Sequence, residues 1–319
     1  MRILEAIFLV FINPLFYKIT LTASTPLIFA ALGGVYSEIT GVVNIALEGI
    51  MLIGAFTSVV FTWLTGNVWI GVFMAIVSGV ALAWLHAWGS IKWAGDQVVL
   101  GTAIILIAQG VTGFLMEPIF GKPGQTDFVG KIEEIKIPGV AKVPFIGKII
   151  GELSPMVYIA FASVVFSWWL IYKTKLGLRM RSVGENPEAA DTLGVNVYGI
   201  RYFGVLMSGV FAGIAGAYLS IGEVGHFREL MTGGRGFIAL AAMILGKWNP
   251  VGAMLVSILF GASSAFANQL QSSSLIHVPA TVKPLFDMIP FILTIIVVAG
   301  FVGRSRPPKA DGIPYEKEA

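Results

Sequence analysis

The chain has no cysteine and very little charge. Without a thiol, disulfides and thiolate metal sites are excluded, while the redox compartment stays open. Lys, Arg, Asp and Glu together make up 12% of the 319 residues, whereas a soluble domain carries about 25%. So little charge cannot clothe a soluble surface. The three histidines, His86, His226 and His277, lie in separate segments, so their spacing describes no metal site. No GxxxxGK[ST] phosphate loop is present, because the stretches around Lys122 and Lys247 lack the required glycines. Paired carboxylates on a helix face are missing too. The sequence therefore offers no catalytic residues, no metal site and no motif for ATP hydrolysis.

What is plentiful is apolar: 56% of residues are hydrophobic and the mean hydropathy is +0.84. The uncharged runs far exceed the alternating segments of about ten residues that mark a transmembrane β-barrel. The fold class they indicate is all-α, a polytopic transmembrane helical bundle of about 9–10 helices within residues 1–303. The net charge of +3 follows from the Lys and Arg bias of cytoplasmic segments and does not call for nucleic acid.

Glu5 interrupts the first apolar run and no A-x-A-like site follows, so MRILEAIFLVFINPLF reads as retained membrane sequence. Its part 6–17 either crosses obliquely or lies in the interface. Leu21 to Ser37 is the next helix. Gly49 to Trp88 holds two spans separated at Thr65-Gly66-Asn67, and Gln97 to Met116 leads outward. Residues 117–152 form a polar external loop. Leu153 to Tyr172 and Tyr202 to Gly222 are spans, Phe237 to Leu245 is half a span, and Val251 to Gln269 and Met288 to Val302 complete the set. If residues 6–17 cross, ten crossings result, with both termini cytoplasmic. The tail 304–319 is charged and proline-containing, and is expected to be disordered in the cytoplasm.

Thr40-GVVNIALEGIML-Ile53 and Gly233-GRGFIALAAMIL-Gly246 share a glycine, Ile-Ala-Leu and a leucine in register, yet run in opposite directions through this topology. That is the mark of an inverted 5+5 repeat, although Ile-Ala-Leu also arises by chance in so apolar a chain.

Residues 173–201 concentrate Lys173, Lys175, Arg179, Arg181, Glu185, Glu188, Asp191 and Arg201 between two uncharged spans, so they are expected in water on the cytoplasmic side. Asn186-Pro187 can start a helix, Glu188 and Asp191 suit its N-terminal half, and Gly194 suits its end. A helix over Glu188 to Leu193, with small Ala189 and Ala190, could dock in a groove of a cytosolic partner. The alternative is a plain solvated hairpin.

The run Gly177-Leu-Arg-Met-Arg-Ser-Val-Gly-Glu-Asn-Pro-Glu-Ala-Ala190, followed by Gly194-Val195, resembles the cytoplasmic loop of ABC importer permeases of the sugar, nucleoside and branched-chain amino acid group. Ser24-Thr-Pro-Leu27 through Gly54, Gly233-Gly-Arg-Gly-Phe-Ile-Ala-Leu-Ala241 and the tail from Gly303 resemble it as well, most closely the nucleoside-type members. The resemblance implies a permease subunit in the cytoplasmic membrane. It further implies a second permease, identical or homologous, two cytosolic ABC ATPase domains that use ATP and Mg, and an extracytoplasmic substrate-binding protein, with no cofactor bound by this chain. Coupling to the ATPase falls on Gly184, Glu185, Asn186, Pro187, Glu188, Ala189, Ala190 and Gly194. The solute is expected to be a nucleoside; a ribose- or galactose-type sugar permease is the alternative within the group.

Within the membrane, Glu48 and Asn44 are candidates for the substrate path, since an ionisable group at membrane depth is functional by default. Glu48 can equally sit at headgroup level or bond a neighbouring helix. Phe237 can stack on a base or simply pack. Thr102 and Gln109, on one face of a span, can line the path or bond between helices. Arg235, between glycines, can meet substrate or lie on the outer surface. The stripe Ser208, Ala212, Gly216, with Gly209 and Gly213 beside it, reads as a helix-packing seam. A stand-alone secondary transporter would need a buried ion-coupling carboxylate, for which Glu48 is the candidate.

Overall fold

The structure, a computed structural model, describes residues 8–139, 143, 145–272 and 306–316, with 288, 292 and 296 singly between. Seven of its helices are long and apolar enough to cross a membrane, which makes the chain a multi-pass, all-α membrane protein. Helix α1 is Pro14–Glu38, α2 Leu47–Thr65, α3 Val68–Ala87, α4 Gln97–Phe120, α5 Ile146–Ile150 and α6 Pro155–Lys173. Two short helices follow, α7 Lys175–Glu185 and α8 Pro187–Thr192. Then come α9 Val197–Ala217, α10 Arg235–Leu245 and α11 Pro250–Ser272. A π-turn, Trp88–Lys92, extends α3, and another, Tyr218–Val224, extends α9.

Local chemistry sets these boundaries. Asn13 caps α1 through Leu15 N (3.0 Å) with Pro14 at the first position. Gly66, at φ 68°, ends α2, and Asn67 caps α3 through Trp69 N (2.9 Å). Asp96 caps α4 through the amides of Val98 and Val99.

Helices α1, α2 and α9 form the buried centre, while α3 and α4 show most of their surface to the outside. The packing repeats with its partners exchanged. Helix α1 lies on α11 and α10, and α9 lies on α3 and α2, so the unit α1-α2-α3 returns as α9-α10-α11. The directions are reversed. Lys18, near the start of α1, bonds Glu134 of the long loop (2.7 Å), whereas Arg201, near the start of α9, bonds the tail at Ile313 O (3.0 Å). This exchange is the inverted relation read from the two Ile-Ala-Leu stretches. Of its last member, Met288 to Val302, only residues 288, 292 and 296 are described, and the turn before it, 273–287, lies outside the described residues. The small-residue stripe is a seam: a Cβ at Gly213 would collide with Ala75 O of α3, and one at Gly216 with Met51 O of α2.

At one end of the bundle the long loop folds down onto the chain after α9. Thr126 N donates to Phe227 O (2.9 Å), Val129 N to Gly225 O (2.9 Å) and Ile132 N to Ile221 O (2.8 Å). A two-stranded antiparallel sheet, β1 Ile135–Lys136 with β2 Glu152–Leu153, closes the loop.

One open reading is narrowed and one expectation is corrected. The described part of residues 6–17, residues 8–17, forms no separate span. Residues 8–12 are a short helix whose Val10 packs with Phe16 against Ala265 and Leu270, and from Pro14 onward the chain already belongs to α1. The cause is Asn13-Pro14, which starts the 25-residue α1 well before Leu21. The tail is not free either. Residues 306–316 are folded onto α7, α8 and the start of α9, because Ala310 and Tyr315 find apolar cover there.

Candidate functional site: a capped half-helix and a strapped loop

Helix α10 has eleven residues, about 16 Å of rise, against a hydrocarbon thickness of about 30 Å. Its first amides have no partner within the helix; that of Gly236 is buried and that of Gly234 partly buried. Glu48, at the start of α2, answers both. Its Oε1 accepts from Gly234 N (2.8 Å) and its Oε2 from Gly236 N (2.6 Å). The approach requires glycine, since a Cβ at Gly236 would lie 2.6 Å from Glu48 Cα. With 6% of its surface exposed and each oxygen bonded to an amide, Glu48 caps α10.

The stretch between α1 and α2 is irregular, and side chains hold its backbone. Val43 N donates to Gln97 Oε1 (2.7 Å), Val43 O lies 2.9 Å from His86 Nε2, and Val42 O accepts from Ser37 Oγ (2.6 Å). Asn44 is fully buried and its Nδ2 donates to Ser208 Oγ of α9 (2.5 Å). It ties the α1–α2 link to α9 and touches no open space in this conformation.

The other path candidates lie elsewhere. Phe237 is 47% exposed and shares an outward face of α10 with Ile244, 41% exposed. Thr102 is exposed on α4, its hydroxyl turned onto Val98 O (2.8 Å), and Gln109 is half-buried on the same helix. Arg235 Nη1 donates to Met231 O (3.0 Å), and the side chain lines a pocket with Glu223, His226 and Arg228 at the loop end. Glu48 thus stands next to Phe237 through Gly236, and the structure does not gather the five candidates around one cavity.

At the opposite end, the segment expected to couple to an ATPase folds as its caps dictate. Asn186 Oδ1 accepts from Ala189 N (3.0 Å), Pro187 opens α8, and Gly194 (φ 79°) lets Val195 N return to Ala190 O (3.0 Å). Helix α8 starts and ends one residue earlier than Glu188 to Leu193. Glu185, Asn186, Glu188, Ala189 and Gly194 are exposed, and Pro187 is half-exposed. Gly184 and Ala190 are not available to a partner. Ala190 is buried with Val183, Val197 and Tyr315, and Gly184 is pressed against Ile39 O, its own carbonyl accepting from Ala310 N (2.8 Å). Sequence reasoning passes over Leu193, which is 84% exposed and the most outward large apolar side chain of the loop. Its place just before Gly194 is the available signal.

The tail straps this platform. Arg201 Nη1 donates to Ile313 O (3.0 Å), the Tyr198 hydroxyl to Tyr315 O (3.3 Å), and the Tyr315 hydroxyl bonds Asp191 of α8. Arg201, expected in water, is 1% exposed. Asp311 hydrogen-bonds Glu38 at the foot of α1, and Glu38 Oε2 accepts from Trp248 Nε1 just beyond α10 (2.6 Å). The loop 173–201, the tail and the end of the half-helix are therefore in continuous contact.

Burial pushes Asp311 up to about 7, against the pull of Glu38 and Arg201. The docked carboxyl is thus raised above its value of 3.8 in a free tail. Docking is strongest below that free value and weakens as pH rises towards about 7. Limited proteolysis should cut residues 306–316 faster at pH 8 than at pH 5.5. Asp311→Asn, serving as the reference for protease activity, should flatten the difference.

A family model described as branched-chain amino acid transport system / permease component matches residues 16–298. The chain is 43% identical to the guanosine ABC transporter permease protein NupQ of Bacillus subtilis (strain 168), over 93% of this chain and 95% of that one. It is 40% identical to the nucleoside ABC transporter permease protein NupC of Lactococcus lactis subsp. cremoris (strain MG1363), over 99% of each. A putative glucose ABC transporter permease protein, TsgC13 of Haloferax volcanii, is 35% identical over 90% of this chain and 91% of its own.

Proposed function

The chain belongs to the family of branched-chain amino acid transport system / permease components, and from that premise we propose that it is the membrane subunit of an ATP-driven nucleoside importer. The observation that carries the coupling part is α8, a capped helix displayed with Leu193 outward on a platform held by the tail. Two cytosolic ATPase domains, which bind ATP and Mg, dock on α8 of this chain and on its counterpart in a second permease, identical or homologous. A substrate-binding protein delivers the solute at the end covered by the long loop. The Lys and Arg surplus of residues 173–201 and of the tail supports a cytoplasmic position for those segments. The outward faces of α10, with Phe237, and of α4, with Thr102 and Gln109, line the path between the two permeases.

Nucleoside is preferred to sugar as the solute because the relatives named for nucleosides are the more similar, at 43% and 40% identity against 35%. A capping role for Glu48 weakens the case for a stand-alone secondary transporter, for which it is the ion-coupling candidate. ATP drives import only if it favours one conformation of the assembly, and α8 must pass that preference inward.

The test is uptake into proteoliposomes holding both permeases, the ATPases and the binding protein. Accumulation of labelled guanosine that requires ATP is expected. Accumulation without the ATPases would favour a secondary transporter, and accumulation of glucose but of no nucleoside would make the chain a sugar permease.

A further inference from the structure

At the tail end, next to the site described above but separate from the α8 surface, a cavity of about 250 Å³ opens among Tyr172, Arg181, Glu185, Lys247, Trp248 and Arg306. Three cations face it and one acid. None of the three takes part in an ion pair among the described residues. Arg181 is already positioned, its guanidinium 5.3 Å from the centre of the Tyr172 ring, and its Nε is buried without a hydrogen-bond partner. A buried guanidinium donor without an acceptor is costly, and so is a group of like charges converging on one space. An anion in the cavity relieves both.

We propose that this cavity binds the phosphate of an anionic phospholipid headgroup. Arg and Lys are the usual phosphate donors, and Arg181 and Arg306 present forked N–H groups to its oxygens. The lipid source follows from position. Trp168 and Trp169 stand exposed on α6, the Trp168 ring is 6.4 Å from that of Tyr172, and Lys173 lies over Trp168. Aromatic side chains flanked by a lysine at a helix end mark the headgroup level of a membrane, and basic pockets between helices on the cytoplasmic side suit such headgroups. Lys247 and Trp248, at φ 58° and 53°, form the strained turn between α10 and α11. A phosphate held there bears directly on the end of the half-helix. The assignment rests on the membrane location alone and not on the solute or the ATPase.

The test uses the full chain in nanodiscs of phosphatidylcholine with or without phosphatidylglycerol, and native mass spectrometry counts the phosphatidylglycerol retained. Each cation removed should weaken retention about five-fold, so Arg181→Gln with Arg306→Gln should lower it about 25-fold. Lys247→Gln is the second variant should the double one fail to insert. Inorganic phosphate titrated onto wild type in phosphatidylcholine discs, read by thermal unfolding, is the other arm. A shift with phosphate but no retained phosphatidylglycerol overturns the lipid source. No retention and no shift, or equal retention by variants and wild type, overturns the site.

Discussion

Glu48→Ala is expected to abolish uptake while leaving the chain in the membrane. The change strips acceptors from Gly234 N and Gly236 N at once. The buried amide of Gly236, once orphaned, costs about 1–3 kcal/mol, and that of Gly234, partly buried, adds less. Glu48→Gln should be intermediate, because its one carbonyl can serve a single amide while its NH2 group faces the other donor. Asn44→Ala should do less, since it removes only the bond to Ser208. Nucleoside uptake in the reconstituted importer, measured beside the unfolding midpoint of the purified permease, should fall most in Glu48→Ala, less in Glu48→Gln and least in Asn44→Ala. Uptake by Glu48→Ala at the wild-type rate would show that the start of α10 needs no cap.

The helices were legible because hydropathy and turn residues are local. Thr65-Gly66-Asn67 gives the break between α2 and α3 from three letters, and Asn186-Pro187 gives the start of α8. The relation between the halves was legible in outline but not in local conformation. Position for position, Leu240 matches Leu47, yet α10 is helical from Arg235 whereas the first copy stays irregular until Leu47. Hydrogen bonds of Val43 to Gln97 and His86 sustain that irregularity, and they come from helices far along the chain. Glu48 was legible as a membrane carboxylate and illegible as a cap, because its partners are 186 and 188 residues away. Gly184 and Ala190 looked like contact residues because small residues permit close approach. The approach they permit is to their own chain.

Arg201 was misplaced for the same reason: nothing local tells that the tail will cover it. Its replacement is the second test with a large expected effect. The guanidinium holds Ile313 O, faces the Tyr315 ring at 5.9 Å, and is the cation that offsets Asp311 beside Glu38. Removing one partner of a buried ionic cluster costs about 3–5 kcal/mol, more than a few hydrogen bonds to a short strap can absorb. Arg201→Met should therefore insert normally, release residues 306–316 to protease, and lose substrate-stimulated ATP hydrolysis in the assembled complex, since Tyr315 no longer steadies Asp191 of α8. Lysine should rescue partly, supplying the charge without the forked donor. Asp311→Asn added to Arg201→Met should restore part of the protection, because the carboxyl left without its cation is then gone. Continued protection of the tail in Arg201→Met would mean that apolar burial of Ala310 and Tyr315 holds the strap unaided, and that the arginine is dispensable to coupling.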